Sequence, residues 1–254
     1  MQHDGNTLGD VIKEKKRVFR ELSFKEKIVF IWDYYKVHIF LGLLCLFCVI
    51  SLLHHYIFEN QDTLVYGMNI NVTADSMATE DFPDAYMEYS GADPKELQVF
   101  YEGNLFMGDD ENIDANTDYA SVMKVSSVIA ARELDFVICD NYVFRDYEDI
   151  AGFYDLKEML PADLFERLDS EGLIIYGQAT NEESADRLDR YAMAIDLTDT
   201  DFAASYNLKA SDGGTLYFAA IMNSKRIDEV TNVVRYIFGE EYVPVSTTED
   251  TSAD

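Results

Sequence analysis

The densest run of potential ligand oxygens is Asp109-Asp110-Glu111-Asn112-Ile113-Asp114-Ala115-Asn116-Thr117-Asp118. Counted from Asp110, oxygen-bearing side chains fall at positions 1, 3, 5, 7 and 9, namely Asp110, Asn112, Asp114, Asn116 and Asp118. A calcium loop wraps hard oxygen ligands around its ion with this alternation. Position 6 is Ala115, where such a loop turns on glycine, and position 12 is Ser121, where it offers a bidentate glutamate. The run therefore reads first as a solvated loop whose last acid caps a following helix near residue 118. Calcium is the secondary reading, and no other cofactor is expected.

Other chemistry is limited by composition. His3, His38, His54 and His55 are the four histidines, and all precede residue 59. Residues 59–254 thus lack the base of a Ser-His-Asp or Cys-His site and the imidazoles of a histidine zinc site. Cys139 follows an apolar run with no basic partner beside it, the setting of a core thiol. Cys45 and Cys48 spell Cys-x-x-Cys inside another apolar run, where packing outweighs redox exchange. Asn71-Val72-Thr73 spells a glycosylation acceptor, meaningful only in a host that reads it. No glycine cluster has the spacing of a phosphate or dinucleotide loop. Acids are plentiful, but their spacing defines no glycosidase pair, and no catalysis is expected.

The charge is unevenly distributed. The 254 residues carry 48 acidic and 20 basic side chains, formally -28. Residues 1–36 hold eight basic and six acidic residues, net +2, whereas residues 59–254 hold 12 and 42, net -30. Nucleic acid is disfavoured as a partner of so acidic a domain. Residues 37–58, VHIFLGLLCLFCVISLLHHYIF, contain no Asp, Glu, Lys or Arg. As a helix this run is about 33 Å long, against a hydrocarbon core of about 30 Å. The run predicts a transmembrane helix over 37–58, with the lipid bilayer as partner and Trp32, Tyr34, Tyr35 and Tyr56 as interfacial anchors. Lys25, Lys27 and Lys36 before it, and Glu59 and Asp62 after it, predict a cytoplasmic amino-terminus and an extracellular C-terminal domain in the cell membrane.

Four segments follow: a basic, amphipathic stretch over 1–36, the span at 37–58, an α/β domain over 59–245, and a disordered acidic tail over 246–254. Ser23 and Glu26 make a capping box ahead of Lys27–Trp32. Beyond residue 59 the hydrophobic period alternates between two and 3.6. Strands are expected at 64–72, 97–101, 134–139, 173–176, 191–197 and 216–222. Helices are expected at 77–90 despite Pro83, at 118–133, at 142–151, from Pro161, from Thr180 to Arg190, and from Ser224 to Phe238. This alternation predicts α/β architecture. Tyr66, Tyr101, Phe106, Tyr142, Phe153, Tyr154 and Tyr206 are the aromatic candidates for a ligand cleft.

The segment Leu134-Asp135-Phe136-Val137-Ile138-Cys139-Asp140, with Tyr142-Val143-Phe144, Ala151–Leu156 and Leu160-Pro161, resembles part of the extracellular solute-binding proteins. Tyr191–Leu197 resembles a core strand of that family, and Tyr217–Arg226 resembles its late strand with an Asn-Ser turn. The resemblance covers roughly residues 64–240 and implies a compact type II periplasmic-binding-like mixed-sheet domain that takes a small solute in a cleft. Ser23–Ile28, Trp32–Lys36 and His38 before the apolar run resemble single-pass membrane proteins of gut clostridia. The expectation is a membrane-anchored extracytoplasmic binding or sensing module. The alternative is a structural or protein-interaction subunit of a cell-envelope complex.

Overall fold

The computed structural model describes Arg17 and residues 23–58, 61–74, 78–108, 115–149, 152–178 and 190–245. The chain divides into two compact units, Met1–Asn60 and Gln61–Asp254.

In the first unit a helix, α1, runs from Phe24 to Phe58 and starts directly after Ser23, where the capping box placed its beginning. Its described apolar side chains, Phe40, Leu43 and Phe47 among them, are exposed. Among the described residues, no helix is long and apolar enough to cross a membrane. Helix α1 does not begin with the apolar run but includes Lys25, Glu26, Lys27, Asp33 and Lys36. The single-pass arrangement is corrected accordingly. With the transmembrane helix over 37–58 go the lipid bilayer as partner, the cytoplasmic amino-terminus and the extracellular placement of residues 59–254.

The second unit is built on a six-stranded mixed sheet. Its strands are β1 (Asp62–Ile70), β3 (Leu97–Leu105), β4 (Phe136–Cys139), β5 (Ile174–Gly177), β6 (Tyr191–Asp196) and β8 (Tyr217–Ala220), in the order β3-β1-β4-β8-β6-β5. β1 runs parallel to both β3 and β4, while the β4–β8, β8–β6 and β6–β5 pairs are antiparallel. A separate two-stranded ribbon pairs β2 (Val72–Thr73) with β7 (Lys209–Ala210). The mixed α/β sheet agrees with the sequence reading.

Side chains alternate across the sheet, as period two requires. Phe136 and Ile138 of β4 join Phe218 and Ala220 of β8 in one core, while Val137 and Cys139 join Tyr217 and Ala219 in the other. Both faces are covered, which explains why these strands read as continuous apolar runs. The first core is roofed by α2 (Ala78–Ser90), α5 (Leu156–Met159), α6 (Ala162–Ser170), α7 (Asp201–Ser205) and α8 (Ile227–Ile237). The second lies under α3 (Ala115–Ala130) and α4 (Asn141–Asp149). Helix α8 buries Val230, Val233, Val234 and Ile237, a three- and four-residue spacing that forms one apolar stripe.

Two packing details fix the sheet. Gly67 pairs with Phe136 across β1 and β4, and a Cβ at Gly67 would run into the Phe136 ring. That ring lies between Tyr101, at 6.1 Å, and Phe218, at 5.2 Å. At the start of β4, Asp135 is fully buried and accepts from the Tyr66 backbone N–H, the Ser224 hydroxyl and Arg226 Nε at 2.8, 2.6 and 2.8 Å. The Asn-Ser turn thus anchors a buried carboxylate. Ser224 does not cap the last helix, which begins at Ile227 with Arg226 in the cap position and no side-chain cap bond.

Candidate functional site

In open α/β sheets a ligand crevice forms where neighbouring strands leave a common carboxyl edge in opposite directions. Here that edge lies between β1 and β4. Asn71 follows β1 with φ +55° and is buried. Its carboxamide donates to the Met107 carbonyl at 2.7 Å and accepts from the Met107 N–H at 2.8 Å. The buried Asn71 is therefore a structural clamp and does not present itself as a glycosylation acceptor. Asp140, also buried, accepts from the Val143 N–H at 3.1 Å at the start of α4. Burial pushes its carboxyl up from the ordinary range, against the pull of the Val143 N–H and the Asn71 side chain. Asn71 and Asp140 are therefore engaged within the fold.

A second concavity is built differently. Between α6, α7 and the end of α8 lies a cavity of about 690 Å³, lined by Asp199, Asp201, Phe202, Tyr206, Tyr236 and Phe238, with Glu171 at its rim. Its lining residues include no Lys, Arg or His. The short α7 is set by Thr200, whose hydroxyl accepts from the Ala203 N–H at 3.2 Å and donates to the Leu197 carbonyl. That cap places Asp199 and Asp201 on either side of it, both exposed. Phe202 points inward and meets Tyr206 edge-on at 5.0 Å and Tyr236 at 6.3 Å. The Tyr206 and Tyr236 hydroxyls lie 3.1 Å apart. Burial, that bond and nearby Asp81 push the Tyr206 phenol well up, so it stays neutral at physiological pH.

One cation already lies beside the groove, against two of its lining residues. The Arg167 guanidinium lies 5.7 Å from the Phe238 ring centroid and reaches Glu240 at 2.7 Å and Glu171 at 4.0 Å. A planar cation on an aromatic face between carboxylates is the chemistry that this lining can offer.

The sequence-derived candidates separate as follows. Asp110, Asn112 and Asp114 lie outside the described residues. Asn116 and Asp118 fall in the first turn of α3, which starts at Ala115, earlier than expected. The Asp118 carboxylate accepts from the Gly108 N–H at 2.9 Å instead of capping the helix. Among the described residues no group of three His, Cys, Asp or Glu side chains converges as a metal site. Cys139 is buried, and burial raises its thiol well above the ordinary value. Of the aromatic candidates, Tyr206 alone lines the groove, while Tyr101 and Phe153 are core. Asp199, Asp201, Phe202 and Tyr236 were missed. Thr200 preceding Asp201 and Phe202 is the local capping signal that could have located α7.

No family model, no curated protein and no solved structure matches this chain. The resemblance to clostridial single-pass membrane proteins falls with the missing span. The resemblance to solute-binding proteins reduces to its coarser content, an α/β mixed-sheet domain consistent with a binding-protein fold.

Proposed function

We propose that this chain is a non-catalytic recognition module whose acidic, aromatic groove holds a positively charged ligand. The observation that carries this reading is the lining itself: Asp199 and Asp201 beside the rings of Phe202, Tyr206 and Tyr236, with no basic side chain among the lining residues. A cation over an aromatic face gains about 0.5–2 kcal/mol, more as water is excluded. The cavity volume lies within the usual range for small-ligand sites. The net charge of -30 over residues 59–254 adds long-range attraction for cations. The Asn71 and Asp140 contacts disfavour the carboxyl edge of β1 and β4 as the working site.

The full-length chain is titrated with tetramethylammonium, arginine methyl ester and a short lysine-arginine peptide, with acetate and glycerol as controls at matched ionic strength. Saturable binding and a raised melting temperature with the cations are expected, both lost in Asp199→Asn/Asp201→Asn. Cations that do no better than glycerol, or a double variant that binds them unchanged, would refute the reading.

A further inference from the structure

After α8 the chain turns at Gly239, with φ +69°, and residues 242–245, in neither helix nor strand, return beside the helix at Asn232. Asn232, itself buried, holds this segment by its backbone. Its Nδ2 donates to the Val243 carbonyl at 2.9 Å, and its Oδ1 accepts from the Val243 N–H at 3.2 Å. One carboxamide thus supplies the donor and acceptor that a neighbouring strand would supply, and it reads backbone independently of side-chain identity. The register is set one residue earlier. The Tyr242 hydroxyl donates to the buried Glu229 carboxylate at 3.0 Å, and its ring meets Tyr89 edge-on at 5.5 Å. Pro244, which has no N–H, needs no further backbone acceptor.

Asn71 clamps Met107 through the same paired bonds, but there the clamped residue is buried in mid-chain. The clamp on α8 differs in two respects. Val243 and Val245 are 50% and 37% exposed, so its occupant is bound mainly through backbone and one tyrosine. A cavity of about 290 Å³ remains beside the segment, lined by Met159, Pro161, Asp228, Thr231 and Arg235 as well as the segment itself. The chain's own valines leave the site underfilled.

We propose that the Asn232 face of α8 is an extended-peptide site, occupied in cis by residues 242–245 and open to a partner's extended segment of the same kind: a tyrosine followed by an apolar residue and proline. Larger apolar side chains in place of Val243 or Val245 fill the adjoining cavity.

The test compares the full-length chain with a chain ending at Glu241, each titrated with a fluorescent peptide of sequence EEYVPVSTTED. The shortened chain binds it one to one. The full-length chain binds it at least about tenfold more weakly, because the tethered copy competes at high effective concentration. Replacing the peptide's tyrosine by alanine, or methylating the amide nitrogen of its first valine, weakens binding to the shortened chain at least about tenfold. In the full-length chain Asn232→Leu speeds hydrogen exchange over residues 242–245 while the sheet stays protected. If the shortened chain loses its melting transition, adding the peptide must restore it. Three results overturn the proposal: a folded shortened chain that ignores the peptide, an unfolded one that the peptide does not restore, or equal binding by the long and short chains.

Discussion

Removing Arg226 tests whether the buried carboxylate of Asp135 depends on it. In Arg226→Met the Asp135 carboxylate, fully buried, keeps the Tyr66 N–H and the Ser224 hydroxyl but loses its only ion-pair partner among the described residues. Breaking a buried pair from one side costs about 3–5 kcal/mol. Two surviving hydrogen bonds, and a guanidinium side chain that is 19% exposed, place this case at the lower end, about 3 kcal/mol. For a domain of this size each kcal/mol moves the melting temperature by about 2–4 °C, so a fall of about 6–12 °C is expected. Burial already raises the Asp135 carboxyl above its ordinary 3.8, and losing the guanidinium raises it further. A raised folded-state value means that the native state holds its proton more tightly than the unfolded chain. The penalty is therefore smallest below the ordinary value and grows as pH rises through the folded value. Thermal and urea unfolding of the wild type, Arg226→Met, Asp135→Asn and the double variant, at about pH 4 and pH 7, measures this directly. Single losses that simply add in the double variant, or an Arg226→Met penalty that is larger in acid, would sink the reasoning.

Gly67→Ala places a methyl group in the Phe136 ring and should destabilise the domain by about 1–3 kcal/mol in urea unfolding; Phe136→Leu in the same chain should recover part of that loss. Glu229 is buried among Tyr86, Tyr242 and Asn232 with Asp135 nearby, and burial raises its carboxyl above the ordinary 4.5. Its stability contribution is present below that value and lost as pH rises through the folded one, so Glu229→Gln should flatten the corresponding part of the melting-temperature profile against pH. In the groove, Tyr236→Phe removes one hydroxyl of the Tyr206 pair and keeps the ring; cation binding should change less than in Asp199→Asn/Asp201→Asn, as isothermal titration will show.

Much of the sheet was legible from period and punctuation. The alternation from Leu64 to Val72 became β1 and β2, and Tyr191–Leu197 became β6. The helix expected over 77–90 formed at Ala78–Ser90 with Pro83 inside it. Boundaries slipped where a side chain had a tertiary use. Ser224 would cap a helix on local rules, yet its hydroxyl donates to buried Asp135, and the helix begins later. Asp118 would cap α3, yet it holds the Gly108 N–H. The helix expected over 180–190, apart from Arg190 at its end, and the acidic tail over 246–254 lie outside the described residues. The groove was scarcely legible because Glu171, Asp199–Phe202 and Tyr236–Gly239 are far apart in the chain and share no motif.

Composition alone removed histidine from residues 59–254, set their strong negative charge and left no basis for histidine-dependent catalysis. Hydrophobic period alone gave the α/β character, because residues buried on both faces of a sheet must be apolar in unbroken runs. The tertiary structure decided which acids matter. Asp135 and Glu229 are buried and held by named donors, while Asp199 and Asp201 face a groove beside aromatic rings. Carboxylates are alike in sequence and become different groups only when distant segments fix their solvation and neighbours. The same holds for the apolar run of α1: its composition is read from the chain, whereas the helix that contains it starts among charged residues at Phe24, and among the described residues no helix is long and apolar enough to cross a membrane.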